Sequence, residues 1–339
     1  MNRRARGDVA AGSGPWWASR LLATAAAAWL VAALARWVPS WNEAWAHLFA
    51  PGYAAVVTRL GEGVPWPWTP PLALLVAVLA VRAARSAGSR GRATVRVVAA
   101  FLLITASFEL AWGLHGTRPP AQERLAERAQ VPERTMEAPL ASLLRDRIVA
   151  DLPNGPLQER EATASVREAL QELAPTMRLP RTVRVVPGWV LGPWGVAGVV
   201  SPWTYEAHVD GALPPWSRIA IAAHELAHLA GYEDEADAEL LGLLAALRAQ
   251  HPHARYAGAL RAWAWLPAED RSLAGPLPER ARSDLAAARA VHEGRARPFA
   301  GAFTAAYDAW LRLRGQEAGV GGYAIGPRRL AWAWRAGLW

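Results

Sequence analysis

Three apolar stretches near the N-terminus, Leu21 to Val38, Val64 to Val81 and Val97 to Leu114, constrain the fold of this chain more than any other feature. Each is about the length needed to cross a hydrocarbon core of roughly 30 Å, where a single segment satisfies its backbone only as a helix. Three transmembrane helices are therefore expected. Two of them carry a charge close enough to an end for the side chain to reach the interface, Arg36 in the first and Glu109 in the third. The second opens in a proline-rich run. A cleaved signal peptide is the alternative for the first, because Arg3, Arg4 and Arg6 precede an apolar run ending Ala33-Leu34-Ala35. Two further stretches downstream favour an anchor.

Orientation follows from basic residues in short loops, which stay on the cytoplasmic side. Arg3, Arg4, Arg6 and Arg20 precede the first stretch, and Arg82, Arg85, Arg90, Arg92 and Arg96 lie between the second and third. Between the first and second only Arg59 is basic. Both biases put the N-terminus inside, and three crossings put everything after His115 outside the cytoplasm. Composition changes at the same place: beyond Gly116 charged residues become frequent and Pro and Gly punctuate the chain. The expected division is a membrane anchor over residues 1–116 and an α+β domain over 117–339, mainly helical with a small β-sheet.

The formal charge of +8 comes entirely from arginine, with no lysine, and the arginines are spread along the chain without a basic motif interleaved with aromatics. No nucleic-acid partner is expected. Absence of cysteine excludes disulfides, thiolate metal sites and cysteine nucleophiles.

In the downstream part, helices are expected around Pro139 to Asp151 and Leu157 to Leu173 from apolar spacing near 3.6. Arg181 to Val186 and Val196 to Ser201 are valine-rich, bounded by Gly and Pro, and read as strands. Tyr205 to Asp210 alternates and reads as a half-exposed strand, the candidate for pairing with an extended substrate, with Glu206 and His208 on one face. Pro214-Pro215 then opens a helix that is apolar on nearly all sides except at Arg218, His224, Glu225 and His228.

His224 and His228 are four residues apart, so both imidazoles reach one tetrahedral zinc ion from a single face. Glu225 is placed to take a proton from an attacking water and return it to the leaving amine. This is the HExxH arrangement of metallopeptidases, which arises by chance in such a chain with odds on the order of one in a hundred. Glu233, Asp234 and Glu235 compete as third ligand. At 100° per residue Glu233 falls within the stripe of Ala236, Leu240, Leu244 and Leu247, whereas Glu235 points away with Glu239 and Gly242. A carboxylate on the buried face needs a cationic partner, which makes Glu233 the expected ligand and Asp237, one turn on, the expected acceptor from a ligand histidine. Asp234 also completes an HExxHxxGxxD pattern, but no methionine follows it to form the methionine turn of such enzymes. Asp234 and Glu235 are otherwise explained as acids at a helix N-terminus.

These residues carry a resemblance. His224 to Gly231, the acidic run Glu233 to Asp237, the GVVSPWTYE segment from Gly198 to Glu206, the AWGLH segment from Ala111 to His115 with Arg118-Pro119-Pro120, the Arg255-Tyr256 pair and the block from Tyr307 to Tyr323 are similar to a bacterial membrane protein family known as domain of unknown function 3810, grouped with zincin-type metallopeptidases. The chain departs from the pattern in a shorter link from Gly231 to Glu233 and in Asp237, where Asn is common. The resemblance implies a zincin-like domain of gluzincin type with zinc as cofactor, in which the first Glu of a Glu-x-x-Ala-Asp pattern, here Glu233, binds the metal.

Arg255, Tyr256, His251, His253 and Tyr323 are candidates for stabilising a tetrahedral oxyanion; Tyr307 and Asp308 are expected to pack and cap a late helix. Taken together the expectation is a membrane-anchored zinc peptidase acting on extracytoplasmic protein or peptide substrates, with the lipid bilayer as its other partner. A non-catalytic zinc-braced scaffold and a membrane sensor are the alternatives.

Overall fold

The computed structural model describes residues 16–64, 67–86, 89–127, 135, 136 and 138–339. Arg3, Arg4 and Arg6, which bear on orientation, lie outside the described residues. In chain order the helices are α1 (Trp16–Ala35), α2 (Pro39–Ala44), α3 (Ala50–Glu62), α4 (Thr69–Arg85), α5 (Arg90–Ala111), α6 (Ala121–Ala126), α7 (Leu140–Ala150), α8 (Glu159–Leu173), α9 (Gly188–Leu191), α10 (Pro215–Leu229), α11 (Glu235–Arg248), α12 (Pro252–Trp265), α13 (Ala268–Ser272), α14 (Glu279–Glu293), α15 (Ala300–Leu313) and α16 (Ile325–Arg335). Strands β1 (Arg184–Val186), β2 (Gly198–Ser201) and β3 (Glu206–Asp210) fall between α8 and α10.

The chain forms two compact units, one of residues 1–38 and 70–110, the other of residues 39–69 and 111–339. In the first unit α5 is long and apolar enough to cross a membrane, with 22 residues and a mean hydropathy of 1.7 in its most apolar window. It is the one described helix that meets this test alone. The expected first span ends early, because α1 stops at Ala35. The expected second span is shorter than its apolar stretch, because Pro70 and Pro71 occupy a first turn and α4 begins only at Thr69. Leu74, Leu75, Val78 and Leu79 of α4 and Val97 and Phe101 of α5 are exposed. Arg36 is paired with Glu109 at 3.0 Å.

The second unit is built around α11, which contacts α8, α10, α12 and α16. Every residue from Glu235 to Leu247 is buried. A helix apolar on all sides is stable only when enclosed, and burying Leu240, Leu241, Leu243, Leu244 and Leu247 contributes about 2 kcal/mol each. Gly242 sets the closest approach, since a Cβ there would lie 2.8 Å from the Ala223 carbonyl carbon and oxygen and 2.9 Å from the His224 nitrogen. The stripe Glu235, Glu239 and Gly242 therefore faces α10.

The sheet has the order β1-β3-β2, with β1 parallel and β2 antiparallel to β3. Strand β3 is central and all five of its residues are buried, so it is neither half-exposed nor able to accept an added strand. The alternation of Glu206, His208 and Asp210 misleads because Glu206 and Asp210 are buried against partners from distant parts of the chain. Glu206 accepts from the backbone N–H groups of Trp68 and Thr69 and from the Thr69 hydroxyl, and lies 3.4 Å from Arg184. Asp210 is paired with Arg295 at 2.5 Å.

Candidate metal centre

Helix α10 begins with Pro215 in its first turn, where the missing N–H has no intrahelical partner to lose. It ends at Gly231, whose φ of 92° lies in the left-handed region that favours glycine. That turn returns the chain over the last helical turn and brings the Tyr232 carbonyl to 2.7 Å from His228 Nδ1. A carbonyl only accepts, so Nδ1 carries the proton and His228 presents the Nε2 lone pair inward.

Asp234 caps α11 by accepting from the Asp237 N–H at 3.0 Å, which makes Glu235 the first residue of the helix. Its Oε2 lies 3.1 Å from His224 Nε2 and 3.4 Å from His228 Nε2, and the two imidazole nitrogens are 3.1 Å apart. A tetrahedral zinc ion with bonds of about 2.0–2.1 Å has ligand atoms about 3.3–3.4 Å from one another. His224, His228 and Glu235 therefore form a buried group able to hold a metal ion, and its donor set and spacing fit zinc.

Outside these three, Glu239 Oε2 lies 2.9 Å from His224 Nδ1. The same carboxylate accepts from Arg261 Nε at 2.6 Å and from Nη2 at 2.7 Å. A cation, a carboxylate and a ligand histidine are thus linked in series, which orients the imidazole and raises its basicity. The Tyr307 hydroxyl donates to the other oxygen of Glu235, and the Tyr323 ring lies over His224 with centroids 5.3 Å apart. Trp112 Nε1 donates to the His228 carbonyl at 3.3 Å.

Without a metal ion the charges respond to one another. Burial opposes charge on His224, but the carboxylates of Glu235 and Glu239 outweigh it and its pKa is pushed up to about 10. Glu235 shows the converse: burial would raise it, and the two histidines hold it well below the usual carboxylate range. Glu239 is likewise held at about 2 against burial, chiefly by Arg261. Glu225 differs. Burial raises its pKa, only partly countered by His224, His228 and Arg261. Its carboxylate lies beside β2, where a Cβ on Gly198 would come within 2.5 Å of Oε1.

Glu233, the expected third ligand, is not in this group. It precedes α11, so the helical periodicity used to place it does not apply, and its carboxylate is ion-paired with Arg314. Asp237 does not touch a ligand histidine; it accepts from the Ala121 N–H at 2.8 Å and from Arg329 at 2.7 Å. Arg255 is bound to Asp151 and to the carbonyls of Ala249 and Gln250, where it closes the end of α11. Tyr256 donates to Asp284 at 2.7 Å, and His251 and His253 contact Gln158. None of these four residues reaches the metal group. Tyr323 does, together with Glu239, Arg261 and Tyr307, which sequence reasoning left out.

A mainly helical domain with a small mixed sheet and a buried His-His-Glu group able to hold a metal defines the class of the protein. Within that class, the family described as protein of unknown function (DUF3810) matches residues 70–326, and the chain belongs to it. No curated protein and no solved structure matches the chain.

Proposed function

We propose that this protein is a membrane-anchored zinc peptidase that hydrolyses peptide bonds of extracytoplasmic proteins or peptides. The observation that carries the reading is the set of three ligand-atom separations, 3.1, 3.1 and 3.4 Å, with the buried carboxylate of Glu225 next to His224 on the helix that carries both histidines. When bound, the metal lowers the pKa of water and polarises the scissile carbonyl. Glu225 takes the proton from the attacking water and passes it to the leaving nitrogen, a role suited to a carboxylate whose pKa is raised by burial. Strand β2 is an edge of the sheet, and an extended peptide added to it would run past Gly198 and hence past Glu225. Tyr323 and Tyr307 are the hydroxyl donors nearest the metal group and the candidates for the oxyanion.

Only three protein ligands converge among the described residues, which supports an open position and therefore catalysis. The opposing reading, a zinc-braced scaffold or sensor, draws on the burial of the group, with Glu235 only 1% exposed. The membrane part of the proposal has three spans, with the N-terminus inside and the metal domain outside. It is supported by α5, by the exposed leucines of α4 and by the arginines between them. The test is zinc content and cleavage of a peptide library by the wild type and Glu225→Gln. Cleavage by the wild type alone, with equal zinc in both, is expected; equal cleavage by both proteins refutes the catalytic role.

A further inference from the structure

The histidines occupy one face of α10. Ala222, two residues before His224 and so about 200° around the helix, lines a separate cavity of about 490 Å³ that also borders α8 and β1. This volume falls within the range of small-molecule sites, roughly 300–1,000 Å³. Its charge is one-sided: four guanidinium groups line it, from Arg160, Arg181, Arg184 and Arg218, against one carboxylate, Glu159.

Part of this positive charge is neutralised within the protein and part is left over. Arg218 takes Glu159 through Nε at 2.9 and 3.0 Å and Nη2 at 2.5 Å, so these two cancel. Arg184 lies 3.4 Å from Glu206 and donates to the carbonyls of Gly61 and Val64. The backbone N–H of Arg181 donates to Glu62 at 3.3 Å, but its guanidinium, on a side chain 72% exposed, comes only to 3.6 Å, where such a pair contributes little. Arg160 has no ion-pair or hydrogen-bond partner among the described residues, and neither do the hydroxyls of Thr163 and Thr182 on the same walls. Val183, Val209 and Ala222 supply an apolar floor.

We propose that this cavity is a second binding site, for a ligand bearing a phosphate or carboxylate group, with Arg160 and Arg181 as its charged contacts and the threonine hydroxyls as donors. Guanidinium groups pair with both anions in two-pronged geometry. The ligand's source is either a lipid headgroup, whose tail the valine floor accommodates, or a soluble anion. The site is independent of the metal reading, since it uses the other face of α10.

The test uses the full chain in an uncharged detergent, titrated calorimetrically with dihexanoyl phosphatidic acid, dihexanoyl phosphatidylcholine and inorganic phosphate. At least one of the two anionic probes is expected to bind saturably, and at least tenfold more tightly than phosphatidylcholine. Phosphatidic acid binding alone assigns a lipid; equal binding of phosphate assigns a soluble anion. Arg160→Glu and Arg181→Glu should each weaken that binding at least tenfold while zinc content and the thermal midpoint stay unchanged. Arg160 is exposed in the first turn of α8, where an acid is favourable with the helix dipole, so the fold tolerates the reversal. Failure of both anions to bind saturably, or unchanged affinity in both variants, overturns the proposal.

Discussion

The assignment of Glu235 rather than Glu233 to the metal group is open to a direct comparison, because the two acids are close in sequence and both buried. Four-ligand structural zinc sites bind with about 10–16 kcal/mol, or about 2.5–4 kcal/mol per ligand if shared evenly. At about 1.4 kcal/mol per tenfold change, Glu235→Gln should weaken zinc binding by roughly 10²–10³. Glu233→Gln removes the charge facing Arg314 but no ligand atom. Breaking a buried pair of this kind costs up to about 3–5 kcal/mol of stability, so its thermal midpoint should fall while its zinc affinity stays within a few-fold of wild type. Competition against a chelator of known affinity measures the first quantity, and a melt of the metal-free proteins the second. If Glu233→Gln lost zinc as severely as Glu235→Gln, the ligand set drawn from the geometry would be wrong.

Four further outcomes rest on contacts in and beside the metal group. Glu239→Gln should lower zinc affinity about 10–100-fold, as loss of a carboxylate behind a ligand histidine does, and wild-type affinity in that variant would show that the Arg261–Glu239–His224 series has no influence on the metal. Zinc uptake at pH 7 should release protons, because His224 is protonated in the metal-free protein with a pKa of about 10 and must be neutral to bind; calorimetry in buffers of different ionisation enthalpy reads this, and identical apparent enthalpies would contradict it. The sign for stability follows from the same shift: the folded value lies above the unfolded value of about 6.5, so the contribution of His224 to metal-free stability is complete below about pH 6.5 and is lost as pH rises through about 10. Gly242→Ala forces a methyl group against backbone atoms of Ala223 and His224 at 2.8–2.9 Å and should destabilise the domain by about 1–3 kcal/mol, read as a lower midpoint in denaturant; an unchanged midpoint would mean α10 and α11 separate without penalty.

The helix that carries the histidines was legible because Pro215 and Gly231 mark its ends and its interior is apolar on all sides. Strands β1 and β2 were legible from their valines and bounding glycines and prolines and β3 from its alternation, but their order was not. Nothing in six alternating residues shows that both edges of β3 are already paired, since Glu206 and Asp210 look solvent-facing until Thr69 and Arg295 are brought to them. The third ligand failed for a different reason. A stripe at 100° per residue places Glu233 only if the helix includes it and has one buried face, whereas Asp234 is the cap and α11 is buried on every side. Once every face is buried, an apolar stripe no longer identifies the neighbour; the small residue does. Gly242 is one turn beyond Glu239 and two beyond Glu235, so the face with room for a backbone is also the face with two carboxylates. A Glu-x-x-x-Glu-x-x-Gly stripe following HExxH thus contains both the closest helix contact and the acids that surround the histidines. The close approach and the ligand set are one physical feature: only a helix without a side chain at position 242 comes near enough for a carboxylate one or two turns earlier to reach an imidazole on its neighbour.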